Sequence, residues 1–149
     1  MRPLLMAAAT AAALLLAACS GDARQGRATL ACPWPTYEAP LALAALADDL
    51  AAYQSALGHP PADLAQLDRS GLVTAGPHAG LAYAYHPAGI GVLRDGWRVV
   101  AVDDRRREQD RFWCVLRPPV RVSGSPALVA ALVSKAELRE AAGTAGGFR

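Results

Sequence analysis

The sequence predicts an α+β domain in which an N-terminal helix and a C-terminal helix pack on a three- to four-stranded antiparallel sheet. Large apolar residues repeat at helical spacing between positions 43 and 57, and the apolar period shortens to two from position 81 onward. An Asp-Gly pair at positions 95 and 96 then divides two β-rich runs. The chain has 149 residues with a formal charge of +2, a balance that offers no electrostatic case for nucleic acid.

At the N-terminus Arg2 precedes an uncharged Ala- and Leu-rich run over residues 4–18. It falls short of the roughly 20 apolar residues that cross a bilayer. With small residues at 17 and 18, it reads as an export signal. Leu16, Ala17, Ala18 and Cys19 resemble the lipobox of bacterial lipoproteins. The resemblance implies cleavage before Cys19, a diacylglycerol on its sulfur and an acyl chain on its new amine. Residues 1–18 are then a signal peptide and residues 19–31 a lipidated tether. Several buried chains at about 0.8 kcal/mol per CH₂ make a firm membrane anchor. Ser20 stands where Asp signals inner-membrane retention in some bacteria, so the outer membrane, facing the periplasm, is the expected location. An ordinary secretory signal with an incidental Cys is the plainer alternative.

Removing the signal leaves about 130 residues, enough for one domain, expected over residues 32–142 with a flexible tail at 143–149. Assigning Cys19 to lipid leaves Cys32 and Cys114 as a pair in a compartment where disulfides persist. A disulfide between them is expected, closing a loop of about 82 residues and stabilising the fold by roughly 4 to 5 kcal/mol. Residues 20–29 have no apolar side chain larger than Ala, as a tether requires, and Pro33 and Pro35 stiffen the segment around Trp34.

The first helix is expected over residues 41–57, with Leu43, Leu46, Leu50, Tyr53 and Leu57 on one stripe and Asp48 and Ser55 opposite. Pro40 suits its start, and Gly58 followed by Pro60 and Pro61 stops it. A short helix over residues 62–68 presents Leu64 and Leu67. Leu81, Tyr83 and Tyr85 alternate with alanines as a strand, "GIGVLRDGWRVVAVDD" reads as a hairpin, and "RFWCVLR" is a further strand ended by Pro118 and Pro119. The last helix is expected from Ser125 as N-cap and Pro126, with Leu128, Val129, Leu132, Val133 and Ala136 on its apolar side and Gly143 at its end.

"LAALADDLAAYQSALGHPPADLAQL", residues 43–67, resembles the segment of type II secretion pseudopilins and type IV pilins in which a Tyr-bearing helix runs through a Gly- and Pro-containing turn into a short helix before the sheet. The resemblance covers about a fifth of the mature chain and implies a helix packed on an antiparallel sheet. Pilin-type subunits keep a long apolar N-terminal helix that packs the filament. Here a lipobox stands in its place, so polymerisation as a pilin is not expected.

No G-x-S-x-G turn, H-E-x-x-H helix or P-loop occurs. His59, His78 and His86 lie in Gly- and Pro-rich turns, and with Asp103 or Asp104 they match no compact ligand spacing. Neither Cys32 nor Cys114 belongs to a CxxC. No metal, cofactor or enzymatic activity is therefore expected. Asp48 and Asp49 are adjacent, so they diverge around the first helix and are expected to solvate it. Ser123 and Ser125 lack a His and Asp pair to activate either.

Two features suit binding. "DDRRREQDR", residues 103–111, packs four acidic and four basic side chains into nine positions. Arg105, Arg106 and Arg107 present planar donor forks to a partner's carboxylates or to anionic head groups. Their local charge nevertheless sums to zero, which favours a self-compensated, solvated hairpin loop over partner contact. Trp34, Tyr37, Trp97, Phe112 and Trp113 form an aromatic set divided between core packing and recognition. Phe112 and Trp113 point to opposite faces of their strand, so both are buried only if both faces are covered.

The expected function is that of a lipid-anchored envelope protein, tied to the membrane through Cys19, whose domain binds another envelope protein in assembly, secretion or surface maintenance. An inhibitor or immunity-type lipoprotein is one alternative, and a periplasmic cell-wall hydrolase is another.

Overall fold

A computed structural model describes residues 31–119 and 127–145. The expectations placed on Cys19, the signal peptide, Ser123, Ser125 and Pro126 lie outside the described residues.

Helix α1 spans Leu41–Leu57 and ends as expected, with Gly58 in the left-handed region at φ 77° and its N–H donating to the Gln54 carbonyl. Leu43, Leu46, Leu50 and Tyr53 are buried along one stripe, while Leu57 is half exposed. Helix α2 spans Leu64–Arg69, and Asp63 caps it by accepting from the Gln66 N–H at 2.6 Å.

The sheet has five antiparallel strands rather than the expected three or four, because the segment expected as the last helix supplies one: β1 (Tyr83–Tyr85), β2 (Gly91–Val92), β3 (Arg98–Glu108), β4 (Arg111–Arg117) and β5 (Val129–Ser134). The order is β1-β3-β4-β5, with β2 sharing the β1 edge of β3. The Asp-Gly signal turns β2 into β3 as expected. Asp95 and Gly96 both adopt positive φ, 58° and 77°, inside a short 3₁₀ turn, the backbone that a tight hairpin requires.

The last helix is the main correction. Residues 129–134, expected as helix, form strand β5, and helix α3 spans Lys135–Ala145, passing through Gly143 rather than ending there. Two causes select the strand. Residues 130–133 are all buried, since the sheet is covered on both faces, and such a strand shows no alternation by which to tell it from a buried helix. Ser134 then begins α3 with a reciprocal cap: the Glu137 N–H donates to Ser134 Oγ at 3.2 Å, and the Ser134 N–H donates to Glu137 Oε2 at 3.2 Å.

The two faces carry separate cores. On one, α1 and α2 pack against Val100, Ala101, Trp113, Val115, Ala130 and Leu132. On the other, Trp34, Trp97 and Ala141 cover Val99, Val102, Cys114, Leu116, Ala131 and Val133. Trp113 and Phe112 divide between these faces as their alternation requires, Trp113 buried at 3% exposure and Phe112 half buried. No helix among the described residues is long and apolar enough to cross a membrane.

Candidate functional site

Strand β3 is irregular where its charges are densest. Val102 pairs with Cys114 and the next β3–β4 pair is Arg107 with Phe112, so residues 103–106 stand against a single residue of β4, in a bulge whose first residue, Asp103, still pairs with Tyr83 of β1. Asp103, only 6% exposed, organises the bulge: its Oδ1 accepts from the Arg105 N–H at 3.0 Å and its Oδ2 lies 4.0 Å from Arg106 Nε. Arg105, Arg106 and Arg107 are all exposed. The Arg107 guanidinium lies 5.3 Å from the Phe112 ring centroid, within cation–π range. Among the described residues, Arg105 and Arg107 have no ion-pair partner. The structure thus brings together the expected set of Arg105, Arg106, Arg107 and Phe112.

Phe112 also borders a cavity of about 260 Å³ between the sheet and α3. Val99, Val102 and Phe112 form its floor, and Leu138 and Ala142 form its roof. Lys135, Arg139 and Asp104 stand at its margin, all exposed. The cavity follows from the composition of α3, "KAELREAAGTA", in which Leu138 is the one large apolar side chain. At Gly91 the helix approaches so closely that an added Cβ would stand 2.7 Å from the Ala141 carbonyl. The Lys135 N–H donates to the Asp110 carbonyl at 2.7 Å, tying the start of α3 to the turn between β3 and β4. Held at those points, the helix spans the gap without filling it.

Trp34 anchors the other side of α3. Its indole N–H donates to Glu137 Oε1 at 3.2 Å, its ring meets Trp97 edge to face at 6.2 Å, and Arg94 lies 5.1 Å over it. Burial alone would raise the Glu137 carboxyl, but its bonds from Ser134 and Trp34 and the nearby Arg94 charge hold it below the ordinary carboxylate value.

Cys32 and Cys114 are thiols in the structure, so the expected disulfide between them is not formed there. Both belong to the α3-side core, Cys114 fully buried and Cys32 packed against the cluster. Cys114 Sγ is 3.5 Å from the Phe112 carbonyl of its own strand. The segment containing Cys32 is held instead by the Pro35 carbonyl, which accepts from the Leu132 N–H at 3.0 Å. Burial pushes both thiols up, disfavouring the thiolate that thiol exchange needs, although a backbone bond from Trp34 partly offsets this at Cys32.

The opposite face holds a polar cluster that two expectations missed. Asp49, expected to solvate α1, is 1% exposed, and so is His78, expected in an exposed turn. His78 Nε2 donates to Asp49 Oδ2 at 2.8 Å, while the Thr74 N–H and hydroxyl donate to Oδ1 at 3.0 and 2.7 Å. The His78 and Ala79 N–H groups donate to Asp68 at 2.8 Å, fastening the same loop to α2. Burial opposes the Asp49 charge, but the bonds from His78 and Thr74 outweigh it and hold this carboxyl below its ordinary value. The hydroxyl in the cluster bonds the carboxylate rather than the imidazole, so the arrangement anchors a loop and activates no nucleophile. Asp48, His59 and His86 are exposed, and the described residues contain no group of three or more His, Cys, Asp or Glu side chains arranged to hold a metal.

The arginines and Phe112 are legible in the sequence, whereas the cavity beside them is not. One signal was present: the Ser134-Lys135-Ala136-Glu137 pattern of a reciprocal helix cap, which would have put Lys135 and Leu138 on a helix starting after position 134. No family model matches the chain, and no curated protein or solved structure matches it.

Proposed function

We propose that the chain is a lipid-anchored cell-envelope protein whose domain binds a protein partner through the β3 bulge. The anchoring half of this reading is supported by Leu16, Ala17, Ala18 and Cys19 behind an apolar export segment. The binding half is carried by one observation: buried Asp103 holds a bulge that turns Arg105 and Arg106 into solvent. Bulges of this kind re-aim side chains at functional edges. Guanidinium groups displayed there fit a partner that offers carboxylates.

Labelling cells with a fatty-acid analogue tests the anchor: the wild-type chain takes the label and Cys19→Ala loses it. Persistent labelling of that variant at the wild-type level would refute lipidation at this residue. Crosslinking in the native envelope tests the contact, with Arg105, Arg106 and Arg107 all replaced by Glu. The expected outcome is loss of a discrete crosslinked species at unchanged protein level; an unchanged crosslink pattern would remove the bulge from the interface.

A further inference from the structure

We propose that the cavity beneath α3 is a binding site for a single acyl chain bearing an anionic head group, such as a fatty acid of about ten carbons. The inference is independent of whether Cys19 is lipidated. Its basis is the division of the site into an apolar interior and a cationic margin. The interior is formed by Val99, Val102, Phe112, Leu138 and Ala142 and contributes no hydrogen-bonding side chain. An ordered polar ligand needs partners that these side chains do not provide, whereas a hydrocarbon chain needs none.

The volume sets the scale of the chain length. At roughly 30 Å³ for each water-sized group, a space of 260 Å³ holds about nine, and a methylene is close to that size. Lys135 and Arg139, four residues apart on α3, lie on one face of the helix and place two cations at the mouth. Neither has an ion-pair partner among the described residues. Asp104 opposes them from β3, leaving an excess of one positive charge, and Arg107 adds another from its seat on Phe112. A carboxylate head group at Lys135 and Arg139 satisfies this margin while its chain displaces water from the cavity.

The test is titration of the full chain carrying Cys19→Ser, purified without detergent, with hexanoate, octanoate, decanoate and dodecanoate. Affinity is expected to rise about fourfold for each added methylene and to level off near ten carbons. Lys135→Glu with Arg139→Glu is expected to weaken decanoate about fivefold and to leave decanol unchanged. Ala142→Phe fills the cavity from the helix side and is expected to abolish saturable binding of both, with circular dichroism and thermal unfolding showing that the variant is folded. No saturable binding by the wild-type chain, or equal binding by a folded Ala142→Phe variant, would overturn the proposal. Saturable binding that appears only in Phe148→Ser would also overturn it, by giving the cavity to the C-terminal tail; a purified peptide that competes for the cavity while decanoate does not would give it to a protein partner.

Discussion

The two faces of the sheet are covered by different means, and their contrast accounts for where the molecule is closely packed and where it is open. On one face α1, 17 residues long, lays Leu43, Leu46, Leu50 and Tyr53 against Val100, Trp113 and Leu132. A buried Asp49–His78 pair then ties down the neighbouring loop. On the other face the 11 residues of α3 bring one Leu and several alanines, and two tryptophans hold the helix at one side. Long side chains at helical spacing close a core, whereas small ones held at fixed anchor points leave a cavity of about 260 Å³.

The largest expected difference between the faces comes from matched truncations. Leu46→Ala, at a fully buried position, is expected to cost about 3 to 4 kcal/mol, and Leu138→Ala, half buried beside an existing cavity, about 1 kcal/mol. Denaturant unfolding of both variants measures the gap; equal losses would mean that α3 is packed as tightly as α1.

Next in size is the polar anchor of the α1 face. Asp49→Ala strands the His78 and Thr74 donors and is expected to cost about 3 kcal/mol. The pH dependence follows from the lowered Asp49 carboxyl. Because its folded-state value lies below the ordinary 3.8, the unfolded chain takes up the proton first as pH falls. The stabilisation is therefore complete above the ordinary value and is lost as pH drops through the lowered one. Unfolding free energies followed from pH 7 into the acid range should show a steeper acid loss for the wild type than for Asp49→Ala. Parallel curves would mean that Asp49 titrates alike in both states.

On the α3 face, Gly91→Ala drives a methyl into the Ala141 carbonyl and is expected to cost about 2 kcal/mol while enlarging the gap under the helix. Hydrogen exchange confined to α3 would register the displacement; exchange spread through α1 would show that the two faces unfold as one. A loss of about 1 kcal/mol, no larger than that of Leu138→Ala, is expected for Ser134→Ala, which removes the side-chain half of the reciprocal cap. Its readout is a lower melting temperature with fraying of the first turn of α3.

Elements whose signals are local were legible in advance. The stripe of α1 with Gly58 at its end, the Asp95-Gly96 turn and the β4 run before Pro118 each depend on neighbours a few residues away. The candidate site was legible in part: the arginines and Phe112 stand out by residue type, while the cavity requires α3 to lie over β3. The buried pair was hidden because Asp49 and His78 are 29 residues apart and each resembles a solvated residue in isolation. The run over residues 129–134 was misread because its apolar pattern suits a helix as well as a strand.

By itself, then, the sequence determined the α+β class, the bounds of α1 and β4 and the position of the tight hairpin, since period, caps and turn residues act over a few positions. Tertiary structure decided that residues 129–134 pair with β4 rather than coil, that Asp49 and His78 meet beneath a loop, and that α3 stands off the sheet. These outcomes depend on what covers each face of the sheet, and burial is a property of the assembled fold rather than of any segment within it.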